Sequence, residues 1–182
     1  MKKIIYIVLA VLLVGIAGFL LYETQVVAKR SPKETVTFND KGLDISVVYC
    51  RPSKKGRLIY GEEKVNALVP YGKYWRFGAN AATEITFSKN VTFGGKPVPA
   101  GSYRVYAVPG ADTFEISLNS ELGVTFANNE PDYSKDVVKV NIPVEEIPET
   151  EKFTIAFSSS DAAINMDIVW DKTQVRVPIV PQ

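Results

Sequence analysis

Leu43-Asp44-Ile45-Ser46-Val47-Val48-Tyr49 places apolar side chains at every second position, with Asp44, Ser46 and Val48 between them. Successive side chains of a strand point to opposite faces, so this alternation is the pattern of a strand with one buried face. The same period of two recurs at residues 83–87, 102–108, 113–119, 136–142, 152–157, 163–170 and 173–179. Gly94-Gly95, Pro99-Ala100-Gly101, Pro109-Gly110 and Asp171-Lys172 supply turn chemistry between the runs. About eight or nine short strands at close spacing, with no helical period among them, predict an all-β fold, an antiparallel β-sandwich. Its last pair, Ile164 to Trp170 against Val175 to Ile179 across Asp171-Lys172, reads as a closing hairpin.

Upstream of this domain the chain has a different character. Ile4 to Leu21 carries no charge and follows Met1-Lys2-Lys3. At 1.5 Å per residue the run approaches the roughly 30 Å thickness of the hydrocarbon layer, which predicts one N-terminal transmembrane helix over residues 1–22. A secretory signal has a shorter apolar core, so the segment reads as an uncleaved signal anchor, with cleavage after Val26-Val27-Ala28 as the alternative. Residues 23–34 are polar with one Pro and read as a stalk; the β domain is expected over 35–180. Lys2 and Lys3 on one side face Lys29, Arg30 and Lys33 on the other, so charge alone does not orient the helix. A lone N-terminal span ahead of a compact domain favours a single-pass protein whose C-terminal domain is extracytoplasmic.

Composition excludes several chemistries. Lys and Arg total 21 against 20 Asp and Glu, which removes the basic field expected of a nucleic-acid binder. Histidine is absent, so Ser-His-Asp and Cys-His triads and His-ligated zinc are absent too. No metal site and no cofactor is expected. Cys50 is the only cysteine, so the domain holds together without an internal disulfide, and Cys50 itself reads as a small buried residue ending a strand. Glu62-Glu63 and Glu145-Glu146 read as solvated surface, and the Asn128, Asn129, Glu130, Asp132 cluster lacks calcium-loop spacing and reads as a plain loop.

Residues 50–82 break the regularity with a long connection rich in Gly, Pro, Arg and aromatics, and long ordered loops are often functional. Arg forks suit carboxylate or phosphate, and aromatic faces suit sugars. Arg51, Arg57, Tyr71, Lys73, Trp75, Arg76 and Asn80 are therefore the candidate site for a small anionic or sugar-like ligand. Two alternatives stand beside a binding module: a histidine-independent hydrolase with Tyr71 or Lys73 as base and Glu84 as acid, and a scaffold docking an integral-membrane partner.

The same stretch carries a family resemblance. Tyr49-Cys50-Arg51-Pro52, Lys55-Gly56-Arg57, Ile59-Tyr60-Gly61, Leu68-Val69-Pro70-Tyr71-Gly72-Lys73, Trp75-Arg76, Gly78-Ala79-Asn80 with Ala82-Thr83, and Pro99-Ala100-Gly101-Ser102-Tyr103 resemble the domain-of-unknown-function family 2911 over about residues 35–178. The resemblance implies an exported, periplasmic protein of the Bacteroidota and brings no established activity. It also implies that Cys50 occupies a variable position. The long apolar run departs from the cleavable or lipoprotein signals usual in that family.

Overall fold

A computed structural model describes residues 2–22 and 31–182. The apolar run forms one helix, α1 (Lys2–Tyr22), and no residue of its span Lys3–Tyr22 is buried. With a mean hydropathy of 3.0, it is long and apolar enough to cross a membrane, a description that fits both an anchor and a signal sequence. Most of the expected stalk, and the Ala28 cleavage site, lie outside the described residues. The rest of the stalk does not stay separate: Lys33 already pairs with Cys50, so the sheet starts two residues before Thr35.

The domain is all-β and antiparallel. Its strands are β1 (Lys33–Asp40), β2 (Leu43–Cys50), β3 (Tyr60–Gly61), β4 (Val69–Pro70), β5 (Thr83–Phe87) and β6 (Val91–Phe93), followed by β7 (Lys96–Val98), β8 (Gly101–Pro109), β9 (Thr113–Asn119), β10 (Asp136–Ser159) and β11 (Ile164–Pro181). Nine of them form one sheet in the order β1-β2-β5-β8-β9-β10-β11-β6-β7, and β3 and β4 make a small parallel pair beside it. The alternation at the start of the sequence is realised in β2, where Leu43, Ile45, Val47 and Tyr49 are buried. Its hairpin partner β1 is reached through Lys41-Gly42, both with positive φ (51° and 70°), the primed turn that matches strand twist.

The sheet folds over at β10. The first half of β10 pairs with β9 and the second half with β11, whose far end pairs with β6. The two halves of the sheet face each other across the core, where Phe38 of β1 stacks on Phe157 of β10 with ring centres 5.6 Å apart. Phe87 of β5 meets Phe93 of β6 at 6.3 Å in the same way. Residues just past β2 close the fold, with Phe153 N donating to Pro52 O and Lys54 N to Glu151 O.

The expected closing hairpin is not formed: residues 164–181 are one strand, and β10 likewise joins the runs at 136–142 and 152–157. Only Asp171 enters the left-handed region (φ 56°), whereas a primed two-residue turn needs both central residues there. Asp171 sits instead at an irregularity opposite Thr150, flanked by register shifts on β10, a bulge that bends the ribbon and re-aims a side chain. Its carboxylate accepts from Lys54 Nζ at 2.6 Å.

Candidate functional site

Residues 51–82 are not a free loop. Tyr60, Trp75 and Phe77 are buried and join Phe114, Phe153 and Trp170 in one aromatic cluster, with ring centres 5.1 to 6.5 Å apart. Such pairs contribute about 0.5–1.5 kcal/mol each beyond their buried area, enough to dock the segment firmly. Trp75 also exchanges both backbone hydrogen bonds with Ala107, taking the place beside β8 that lies ahead of Thr83, where β5 begins.

Where this segment meets the sheet it forms an open-mouthed cavity of about 260 Å³. Arg57, Trp75, Arg76 and Asn80 of the expected site line it, together with Trp170, Val69, Leu68, Gly78, Ala79, Pro52 and Ser31. The other three expected residues are elsewhere. Arg51 donates to Phe153 O and Thr154 Oγ1 and pairs with Glu34 at 3.3 Å, tying the end of β2 to β10. Tyr71 packs against the core, and Lys73 is exposed and pairs with Glu63 at 3.3 Å. Glu84 is not brought to Tyr71 or Lys73; its carboxylate accepts from Gly123 N at 2.7 Å in a separate small cavity.

The cavity wall at residues 76–80 combines three features. First, Phe77, Gly78 and Asn80 all have positive φ (60°, 142° and 57°), and for a bulky residue such as Phe77 that is a real outlier. For the non-glycine residues Phe77 and Asn80 such backbone strain costs about 1–3 kcal/mol each, whereas Gly78 adopts its φ freely, and strain of this kind concentrates where a site demands it. Second, the strained turn leaves the backbone N–H groups of Gly78, Ala79 and Asn80 without an acceptor among the described residues. Two of its carbonyls are occupied: Phe77 O accepts from Thr83 Oγ1, and Asn80 O accepts from Ala127 N.

Third, neither guanidinium has a carboxylate within ion-pair distance among the described residues. Arg57 donates through Nε and Nη2 to Lys54 O and Ser53 O, which orients it. Arg76 makes one long bond, Nη1 to Asn80 O at 3.4 Å. Burial pulls its guanidinium below the ordinary arginine value, with Tyr74 acting weakly in the opposite sense. A half-buried cation without a counter-charge is an electrostatic demand for an anion.

A larger groove of about 360 Å³ runs over β1, β2 and β5, and part of its polar lining is paired internally. Asn39 bonds Asp44, and Ser88 Oγ accepts from Asp44 N. It presents no cation.

A second polar centre went unread in the sequence. On the face of β8 and β9 away from the core, Arg104 is buried and donates to Glu121 at 2.7 Å, Tyr74 Oη at 2.6 Å and Asn129 O at 3.2 Å. Beside it, Tyr106 donates to Asp136 Oδ2 at 2.7 Å, Asn119 Nδ2 donates to Asp136 Oδ1 at 2.8 Å, and Lys139 pairs with Asp136 at 3.3 Å. Burial, reinforced by Asp136, pushes the Tyr106 phenol up to about 12. The Asn128–Asp132 cluster belongs to the segment this network holds down; Asp132 caps a short helical turn by accepting from Ser134 N at 3.0 Å. Cys50 is buried, as read.

An antiparallel β domain holding a small cationic cavity walled by tryptophan is thus the class that fold and site define. Residues 31–179 match the profile of the family described as "Protein of unknown function (DUF2911)", and the chain belongs to that family. Comparison with curated proteins and with solved structures returns no match.

Proposed function

We propose that this chain is an envelope binding protein: α1 stays as an uncleaved signal anchor, and the β domain stands on the periplasmic side of a Bacteroidota cell, where its cavity takes a small anionic ligand. The observation that carries the binding reading is the convergence on one cavity of two guanidinium groups, Arg57 and Arg76, that have no carboxylate partner among the described residues, with the N–H groups of residues 78–80, which have no acceptor among them. Guanidinium forks and consecutive amides both suit phosphate or carboxylate oxygens. Trp75 and Trp170 line the cavity with ring edges only, since both are buried in the aromatic cluster, so a small anion is favoured over a ligand that needs an open aromatic face. Binding is preferred to hydrolysis because Glu84 is held away from both Tyr71 and Lys73.

The test is a melting-temperature screen of the full chain in neutral detergent against inorganic phosphate, sulfate, sugar phosphates and uronic acids. At least one is expected to raise the melting temperature of the wild type and not that of the R57Q/R76Q variant. If none does, or if the variant responds equally, the reading fails. The anchor is checked by the intact mass of membrane-extracted protein: 20.1 kDa supports it, and a chain beginning at Lys29 replaces it with a cleaved signal.

A further inference from the structure

Resting on that reading of the cavity, we infer that the anion it takes is the headgroup phosphate of an anionic phospholipid, in the bilayer that α1 crosses. The cavity is tied to that bilayer by covalent geometry. Ser31, the first described residue after the helix, forms part of its wall, and only residues 23–30 separate Ser31 from Tyr22. Eight residues fully extended span at most about 30 Å, so that point on the cavity rim stays within one bilayer thickness of the helix end.

The surface beside the cavity is built for an interface rather than for water. Leu58, Val65 and Leu68 are 48%, 52% and 43% exposed although each is a large aliphatic residue. They are contiguous. Leu68 N donates to Leu58 O at 3.0 Å, and Leu58 and Val65 both flank Gly61, within 3.6 Å of where a β-carbon would stand. Leu68 itself lines the cavity.

Around them, Lys55, Arg57, Lys64 and Arg76 have no ion pair among the described residues; of the two acids in the same stretch, Glu63 pairs with Lys73 and Glu62 is the one unpaired anion set against these four cations. Exposed aliphatic side chains interleaved with unpaired cations are the signature of a surface lying at the headgroup boundary of an anionic membrane.

Size separates the headgroup from the whole lipid. A cavity of about 260 Å³ is smaller than the ligand pockets that enclose a drug-sized molecule, yet roomy for one phosphate. Acyl chains would remain in the bilayer, and Leu58, Val65 and Leu68 would rest among their upper carbons. A pocket for a soluble anion has no use for that apolar rim.

The test uses the only two tryptophans, Trp75 and Trp170, which both line the cavity and so report on it. Full-length protein is placed in nanodiscs of phosphatidylcholine carrying a minor fraction of either phosphatidylglycerol or phosphatidylcholine, spin-labelled at the headgroup. Tryptophan quenching is expected with labelled phosphatidylglycerol and not with labelled phosphatidylcholine. It should be lost in R57Q/R76Q, and reduced in L58S/V65S, whose changes are confined to exposed side chains. Equal quenching by the two lipids, or quenching unchanged in both variants, overturns the inference. Inorganic phosphate or a sugar phosphate added to neutral discs separates the two levels. If either raises the melting temperature through Arg57 and Arg76 while phosphatidylglycerol does not quench, the soluble-anion reading stands and the lipid reading falls. If neither acts, both fall.

Discussion

Arg104 is buried and Arg76 half-buried, yet among the described residues the first meets a carboxylate and the second does not, even though the Nε of Arg104 is itself left without a partner. Arg104 meets a carboxylate, a phenol and a carbonyl and holds the 121–135 segment onto the sheet. Arg76 has one long bond to a carbonyl four residues away. The contrast separates an arginine that builds the domain from one the domain leaves available. Burial alone makes no such distinction; the count of satisfied donors does.

The sharpest way to break that contrast is to remove Arg104. R104M leaves Glu121, Tyr74 and Asn129 O without their donor, and because Glu121 is 31% exposed and Asn129 is exposed, water replaces part of the loss and the cost is about 3 kcal/mol, the low end for such networks. Urea denaturation of the full chain should show a loss of that order. A loss below about 1 kcal/mol would mean that the network contributes nothing to holding the segment down.

Of similar size is G78A, which probes the strained wall of the cavity. Gly78 has φ 142°, and an added β-carbon would sit 2.8 Å from Cys50 O, a backbone atom that cannot turn aside. Strain and contact together should cost about 3 kcal/mol and abolish anion binding. Retained binding would show that the amides of residues 78–80 are not part of the site.

High pH examines the Arg104 region from another side. The Tyr106 phenol is pushed up to about 12, chiefly by burial, whereas in the unfolded chain it ionises near 10. Above pH 10 the unfolded state therefore holds fewer protons than the folded one, and stability falls as pH rises from 10 to 12, by about 2–3 kcal/mol for this group. Tyr49, Tyr60, Tyr103 and Tyr133 are also raised by burial, so the Tyr106 share is read as the difference between wild type and Y106F across that window. Equal slopes for the two proteins would contradict the assignment.

These two regions were not equally legible in the sequence. The alternation at Leu43–Tyr49 announced its strand because one face of β2 meets only core. Arg57, Arg76 and Asn80 were singled out because cations among aromatics stand out locally, and the fold brings these three to one cavity. Trp75 was read as a ligand platform, yet most of its ring serves the aromatic cluster, a fact that depends on Phe153 and Trp170 far along the chain. Arg104 gave no signal, since an outward-facing polar residue on a strand reads as solvated unless one knows that another segment covers it. Asp171-Lys172 was misread for the same kind of reason: Asp at a left-handed position serves a turn or a bulge, and pairing with β10 decides which.

The smallest expected effect is the one that defines the available arginine. In R76Q the domain loses one 3.4 Å hydrogen bond and sheds a half-buried charge that no described carboxylate neutralises. The first change is unfavourable and the second favourable, so the net effect on stability should stay within about 1 kcal/mol, of either sign. Anion response should nevertheless disappear, because glutamine cannot present a charged fork. A stability loss approaching that of R104M would mean that Arg76 holds the 76–80 turn in place, and the cavity would then owe its shape to the residue assigned to its ligand. Unchanged stability with lost anion response is the combination that a merely structural arginine cannot produce.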